Sequence, residues 1–399
     1  MLLDIKDGVT ETEFDLSLSN IIIIVAISLL FLYIGHSFIL QRTPFNRTGY
    51  LAISGDTYAY VSMILGNGNN VSSPFKFRIL VPFLASLLPF SPIDSLRFIS
   101  YISLFFCYIF ILLTCAKLGL STNHSAIGLL AVWASTWHLY NYHNPFLTDT
   151  FGLLMLCVMI FALFNDSFFV FLTAAVLGVL ARESTIFLVP VWLVKKEWKR
   201  SILLMAMTII ALLIPRHFLA SATDPTLVSI FDSIGILQQP LAFAKGVFSS
   251  WGFIWFLSII GIWYLPTDKF ALVAVAYVSL LGGAIFTSLV ATDTGRMFSI
   301  LTPVIAITSS QLYAELINRN RVMAFTFVGL VILQALVSRP NVIFGIGSWV
   351  FGLTGIVLLV EMIYIAFVVI ALGKSLPQQV RGKTKYLFVI IRKPSCEIE

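Results

Sequence analysis

Runs of close to twenty apolar residues recur along the whole chain, separated by short polar connections. As helices, such runs match the hydrocarbon thickness of a bilayer, where the backbone has to satisfy its own polar groups. The chain therefore reads as an all-α, polytopic transmembrane protein. Charged residues are 11% of its 399, where a soluble domain carries roughly a quarter, and the mean hydropathy is +0.96. No polar stretch is long enough to build a separate soluble core.

The spans expected are 20–40, 96–117, 125–140, 150–165, a run over 168–194, 202–217, 251–265, 270–291, 297–316, 322–337 and 348–372. The run 168–194 is long for one crossing and short for two. Arg182-Glu183 interrupts it, and two short helices turning at that pair bring the total to about twelve. Both termini then lie in the cytoplasm: an N-terminal segment over 1–19, a membrane domain over 20–373 and a basic tail over 374–399. This topology puts fifteen Lys and Arg inside and ten outside, in the direction of the positive-inside bias. The net charge of +6 follows that bias and does not call for nucleic acid as a partner. The acidic N-terminus (Asp4, Asp7, Glu11, Glu13, Asp15) is unlike the positive leader of a cleaved signal, so the first span is expected to be retained. A bacterial inner membrane is the expected location.

The polar stretch from Gly55-Asp56-Thr57-Tyr58 to Phe75-Lys76-Phe77-Arg78 lies in the first outward loop, over 41–95. Tyr58, Val61, Ile64 and Leu65 share one helical face, which predicts a short interfacial helix. The run Ile79–Phe90, with Pro82 and Pro89, is too short to span and suits an interfacial or re-entrant segment.

The same topology gathers Asp56, Arg78, Asp149, Arg182, Glu183, Arg216, Asp293 and Arg296 on the outward face. Carboxylates beside guanidiniums at helix ends suit transfer from a phosphate-activated donor. One carboxylate takes the proton of an attacking hydroxyl, and arginine forks hold the phosphate leaving group. Each residue also has a structural reading. Asp56 and Asp149 stand where helix caps are expected, Arg78 could snorkel to the interface, and Asp293 to Arg296 could be an ordinary turn. Arg182 and Glu183 interrupt an apolar run, where charge is costly and marks function by default. His138 and His143, among Trp137, Tyr140 and Tyr142, read as an aromatic belt and not as a metal site. No cofactor is expected, and no metal-ligand spacing is visible among the Cys residues.

Taken in order, these segments resemble the GT-C superfamily of polytopic glycosyltransferases, which includes protein O-mannosyltransferases, oligosaccharyltransferases and lipid-A aminoarabinose transferases. The resemblance rests on Gly55-Asp56-Thr57-Tyr58-Ala59-Tyr60, then Pro74-Phe75-Lys76-Phe77-Arg78-Ile79-Leu80-Val81-Pro82, and Asn144-Pro145-Phe146-Leu147-Thr148-Asp149. It continues with Leu177-Gly178-Val179-Leu180-Ala181-Arg182-Glu183-Ser184, and with Thr294-Gly295-Arg296 ahead of Pro303. The paired acids of many members are a lone Asp56 here. The resemblance implies sugar transfer from a polyprenyl-phosphate donor within the lipid bilayer to an acceptor at the outer face. Asp56 is then the expected general base. Arg78, Asp149, Arg182, Glu183, Asp293, Arg296, Tyr58 and Tyr60 are the expected substrate-binding residues. Two rivals use the same polar set: a transporter or flippase of lipid-linked saccharide, and a non-catalytic or polymerase-type subunit of envelope polysaccharide assembly.

Overall fold

A computed structural model describes residues 17–40, 55–68, 71–135, 138, 141–142, 144–219, 247, 250–290, 294–337, 349–373 and 375–392. All of its regular elements are helical. In chain order they are α1 (Leu18–Leu40), α2 (Gly55–Ile64), a short 3₁₀ turn (Phe75–Phe77), α3 (Leu80–Ser86), α4 (Pro92–Lys117) and α5 (Thr122–Trp133). Then come α6 (Asp149–Phe164), α7 (Phe168–Ala181), a long 3₁₀ helix (Glu183–Lys195), α8 (Trp198–Leu219), α9 (Ile254–Ile262) and α10 (Thr267–Val290). The last are α11 (Thr294–Phe298), α12 (Thr302–Arg319), α13 (Arg321–Val337), α14 (Trp349–Leu372) and α15 (Ser375–Arg392).

Among the described residues, five helical segments are long and apolar enough to cross a membrane: Leu18–His36, Pro92–Lys117, Trp198–Leu219, Thr267–Ser288 and Arg296–Arg319. The apolar helices α6, α7 and the stretch Arg321–Ala335 are shorter. The helices keep large apolar side chains on their outer faces, with Ile22, Phe169, Phe218, Phe286, Val322 and Ile370 all exposed. That pattern suits a lipid environment, where no hydrophobic gain comes from hiding such side chains between helices. Packing has to come from close backbone approach instead, and α12 achieves it. A Cβ on Gly128 of α5 would lie 2.3 Å from the Ala306 carbonyl oxygen of α12, so only glycine lets these two helices meet. The expected span 125–140 is accordingly a shorter helix, ending at Trp133.

The run 168–194 is two elements. α7 stops at Ala181, Arg182 takes an extended conformation with φ −157° and ψ 121°, and the 3₁₀ helix begins at Glu183. The two return antiparallel, and the Lys195 ammonium at the far end pairs with Asp166 just before α7. Thirteen residues is long for a 3₁₀ helix, a form that seldom runs beyond one turn. Pro190 inside it lacks the N–H that an α-helix would need there.

Two short helices also form in the stretch between the first two long helices. α2 and α3 pack over a small apolar cluster of Tyr60, Val81, Ala85, Leu96, Phe146 and Leu147. At the other end of the bundle, α15 leaves α14 through a bend of 77°.

Candidate active site

Seven charged side chains, with Tyr60 and Thr148, meet at one end of the bundle. Asp149 opens α6, yet its N-cap Thr148 makes no side-chain cap bond, and the Asp149 carboxylate turns instead to two guanidiniums. Arg182 pairs with its Oδ1, and Arg296 Nε donates to its Oδ2 at 2.7 Å. Arg296 Nη1 donates to Asp56 Oδ2 at 2.5 Å, so one guanidinium bridges the start of α2 and the start of α6. Asp149 and Arg182 are almost sealed, with side chains 2% and 4% exposed, whereas Asp56 keeps 23%. Asp56 is the acid of the pair that faces outward.

The second half of the network joins the first through Tyr60 and the turn at Arg182. Arg78 Nε donates to Glu183 Oε2 at 3.0 Å, and its Nη1 donates to the Tyr60 hydroxyl at 3.1 Å. Tyr60 in turn meets Thr148 Oγ1 at 3.2 Å. Burial works to lower the pKa of Arg78, but Glu183 and Tyr60 outweigh it, and the guanidinium is held more firmly protonated than a free arginine. Arg216 reaches Glu183 Oε1 at 3.6 Å and lies over the Phe77 ring.

Among the described residues, three carboxylates thus face four guanidiniums. Ion pairs this enclosed hold only when nearly every charge has a partner.

Local geometry explains how Arg182 is aimed. Gly152 lies under it, and a Cβ there would stand 3.0 Å from Arg182 Cβ and 3.4 Å from Cδ. The extended backbone at Arg182 breaks the helix and leaves its side chain lying over α6. Its Nε donates to Ser184 Oγ at 3.1 Å, and its Nη2 lies 3.9 Å from Met297 Sδ.

Of the expected site residues, Asp56, Tyr60, Arg78, Asp149, Arg182, Glu183 and Arg296 are brought together. Tyr58 is not: it projects from the outer face of α2, 62% exposed, while Tyr60 is fully buried. Asp293 lies outside the described residues. Sequence reasoning had Arg216 on this face without a partner, named Thr148 only as a neighbour of Asp149, and missed Gly152 altogether. No spacing rule points to Thr148, while an isolated glycine in an apolar helix was the one available hint of close approach at Gly152.

His138 sits elsewhere. The Tyr108 hydroxyl stands 2.5 Å from both His138 Nε2 and the Tyr142 hydroxyl, an interior polar chain between α4 and the segment that follows α5. No set of three or more His, Cys, Asp or Glu able to hold a metal occurs among the described residues. Neither a protein-family model nor a curated protein sequence matches this chain.

Proposed function

We propose that this chain is an integral-membrane glycosyltransferase of the GT-C kind, moving a sugar from a polyprenyl-phosphate donor to an acceptor at one face of the membrane. The single observation behind it is the gathering of Arg78, Arg182, Arg216 and Arg296 around one partly exposed carboxylate, at the end of apolar helices. A lipid-linked donor keeps its chain among such helices while its phosphate meets the guanidiniums. Asp56 is the general base. Its bond to Arg296 competes with the donor phosphate for the same guanidinium, so donor binding frees the carboxylate to take the acceptor proton. Attack then proceeds with inversion at the anomeric carbon, and Arg296 and Arg78 offset the charge gathering on the departing phosphate. Asp149 and Glu183 hold the arginines in place.

An arrangement of about twelve crossings belongs to this proposal; five described helices are long and apolar enough to cross. The outer face and cytoplasmic termini belong to the same proposal, carried by the cations Lys195, Lys196, Lys199 and Arg200 at the end away from the network.

The test is transfer from a labelled polyprenyl-phosphate sugar in membranes carrying wild type or Asp56→Asn, with endogenous lipid extract as acceptor. Transfer by wild type and its loss in an equally expressed variant support the reading. Equal transfer by both removes Asp56 from catalysis. No transfer with any donor favours the transporter of lipid-linked saccharide, which needs the same polar set only as a pathway.

A further inference from the structure

The last helix, α15, turns aside from the element before it. α14 packs along α13, and α15 leaves it at 77°. Gly373 makes the corner with φ 46°, a conformation that glycine takes without strain. The first half of α15 is docked on the bundle. Ser375 Oγ meets the Tyr264 hydroxyl at 3.2 Å, and Leu376 packs on the main apolar core. Lys383 is buried, donating to the Leu265 carbonyl with its ammonium 5.2 Å from the centre of the Phe270 ring. Phe270 belongs to the first turn of α10, whose last turn leads on to Arg296. α15 therefore lies at the end of the bundle away from the charge network.

With Lys383 docked inward, the register of the helix follows. At 3.6 residues to a turn, Leu376, Val380, Lys383, Leu387 and Ile391 share one side. Arg381, Lys385 and Arg392 fall in a strip about 40° wide on the other. Arg381 is exposed and pairs with no carboxylate among the described residues, and α15 itself contains no Asp or Glu. Tyr386 to Ile391 is apolar or aromatic throughout, a run that calls for hydrocarbon beside it. A soluble acidic partner would meet the cations and leave that run uncovered. Cations along one side, apolar residues along the other and a course set across the preceding helix together give the form of a helix lying in a membrane interface.

We infer that α15 lies in the headgroup layer of the leaflet at that end and binds its anionic lipid surface through Arg381, Lys385 and Arg392. Its apolar side then meets the bundle and the acyl chains. Each cation near such a surface is worth about fivefold in affinity. The inference does not depend on the sugar transfer proposed for the other end.

The experiment places the full chain in nanodiscs of phosphatidylcholine alone, or of equal parts phosphatidylcholine and phosphatidylglycerol. Hydrogen exchange of the α15 amides is followed by mass spectrometry, with the amides of α12 read in the same sample. Wild-type α15 exchanges about tenfold or more slowly in the anionic discs, while α12 exchanges alike in both. The triple variant Arg381→Gln, Lys385→Gln, Arg392→Gln loses the difference. Glutamine is about as good a helix former as the residues it replaces, and unchanged α12 exchange shows that the bundle has kept its fold. Added salt screens the same charges without any substitution, and it removes the difference from wild type. Equal wild-type exchange in the two discs overturns the inference, in favour of a soluble acidic partner. A difference that survives salt or the triple variant, or one that α12 shares in full, overturns it as well.

Discussion

Asp56 and Arg296 stand 240 residues apart along the chain, and their side chains meet at 2.5 Å. Because Arg296 also holds Asp149, the outward-facing acid and the sealed acid share one guanidinium. Their consequences for substitution are different.

Asp56 is partly exposed, and its loss leaves no charge stranded in the interior. Asp56→Asn is expected to fold as wild type and to lower sugar transfer by about 10²–10⁴-fold, the usual contribution of a positioned base. The check is turnover with labelled donor, alongside a thermal unfolding curve in detergent. An unfolding midpoint well below wild type would make Asp56 a structural residue.

Arg182→Ala leaves Asp149 sealed with only one of its two guanidinium partners. Breaking one member of a buried pair costs about 3–5 kcal/mol, so this variant should unfold markedly earlier than wild type. Adding Asp149→Asn should return part of the loss. A double-mutant cycle on unfolding measures the coupling, and additive losses would show that the two side chains do not act as a pair.

Arg78 serves two acceptors in different directions, Glu183 through Nε and Tyr60 through Nη1. A lysine has one compact head and cannot keep that fork. Arg78→Lys is expected to raise KM for the donor by about tenfold, the worth of one charge-assisted hydrogen bond, with a smaller change in kcat. A pure kcat effect would move Arg78 from holding substrate to the reacting centre.

Tyr60→Phe removes the hydroxyl between Arg78 and Thr148, both buried. It should cost about 1–3 kcal/mol of stability. Tyr58→Phe should change neither stability nor transfer, because its ring projects from the protein. Chemical unfolding of both variants in one detergent separates them.

The opposite placement of these two tyrosines, one exposed and one buried, shows what the sequence carries and what it leaves out. Apolar run lengths mark most of the long helices to within a few residues, since hydrocarbon thickness imposes its own period. The same rule groups Tyr58 with Val61, Ile64 and Leu65 on one face of an interfacial helix. Val61 and Ile64 do pack against the apolar cluster, but Tyr58 and Leu65 stay exposed, and the hydroxyl that finds partners inside is that of Tyr60. The break at Arg182-Glu183 was legible because charge in an apolar run has few structural reasons to exist. Which carboxylate each arginine holds was not, since pairing across 147 residues between Arg296 and Asp149 leaves no trace in local pattern. The 3₁₀ winding over 183–195 was equally hidden. Only Pro190 argues against an ordinary helix there, and a lone proline usually reads as a kink.

That winding fixes a length. A 3₁₀ helix rises about 2.0 Å per residue against 1.5 Å for an α-helix, so rewinding these thirteen residues would shorten the element by about 6 Å. Glu183 at its head is held by Arg78, and Lys195 at its foot by Asp166. Neither pair could follow such a contraction without its partner moving. With three residues to a turn, Glu183, Ile186, Val189, Trp192 and Lys195 stack in a single column, one above the next. The segment is thus a strut of set height, clamped by opposite charges at its two ends, and it keeps the acid that grips Arg78 in register with the lysines on the far side of the bundle.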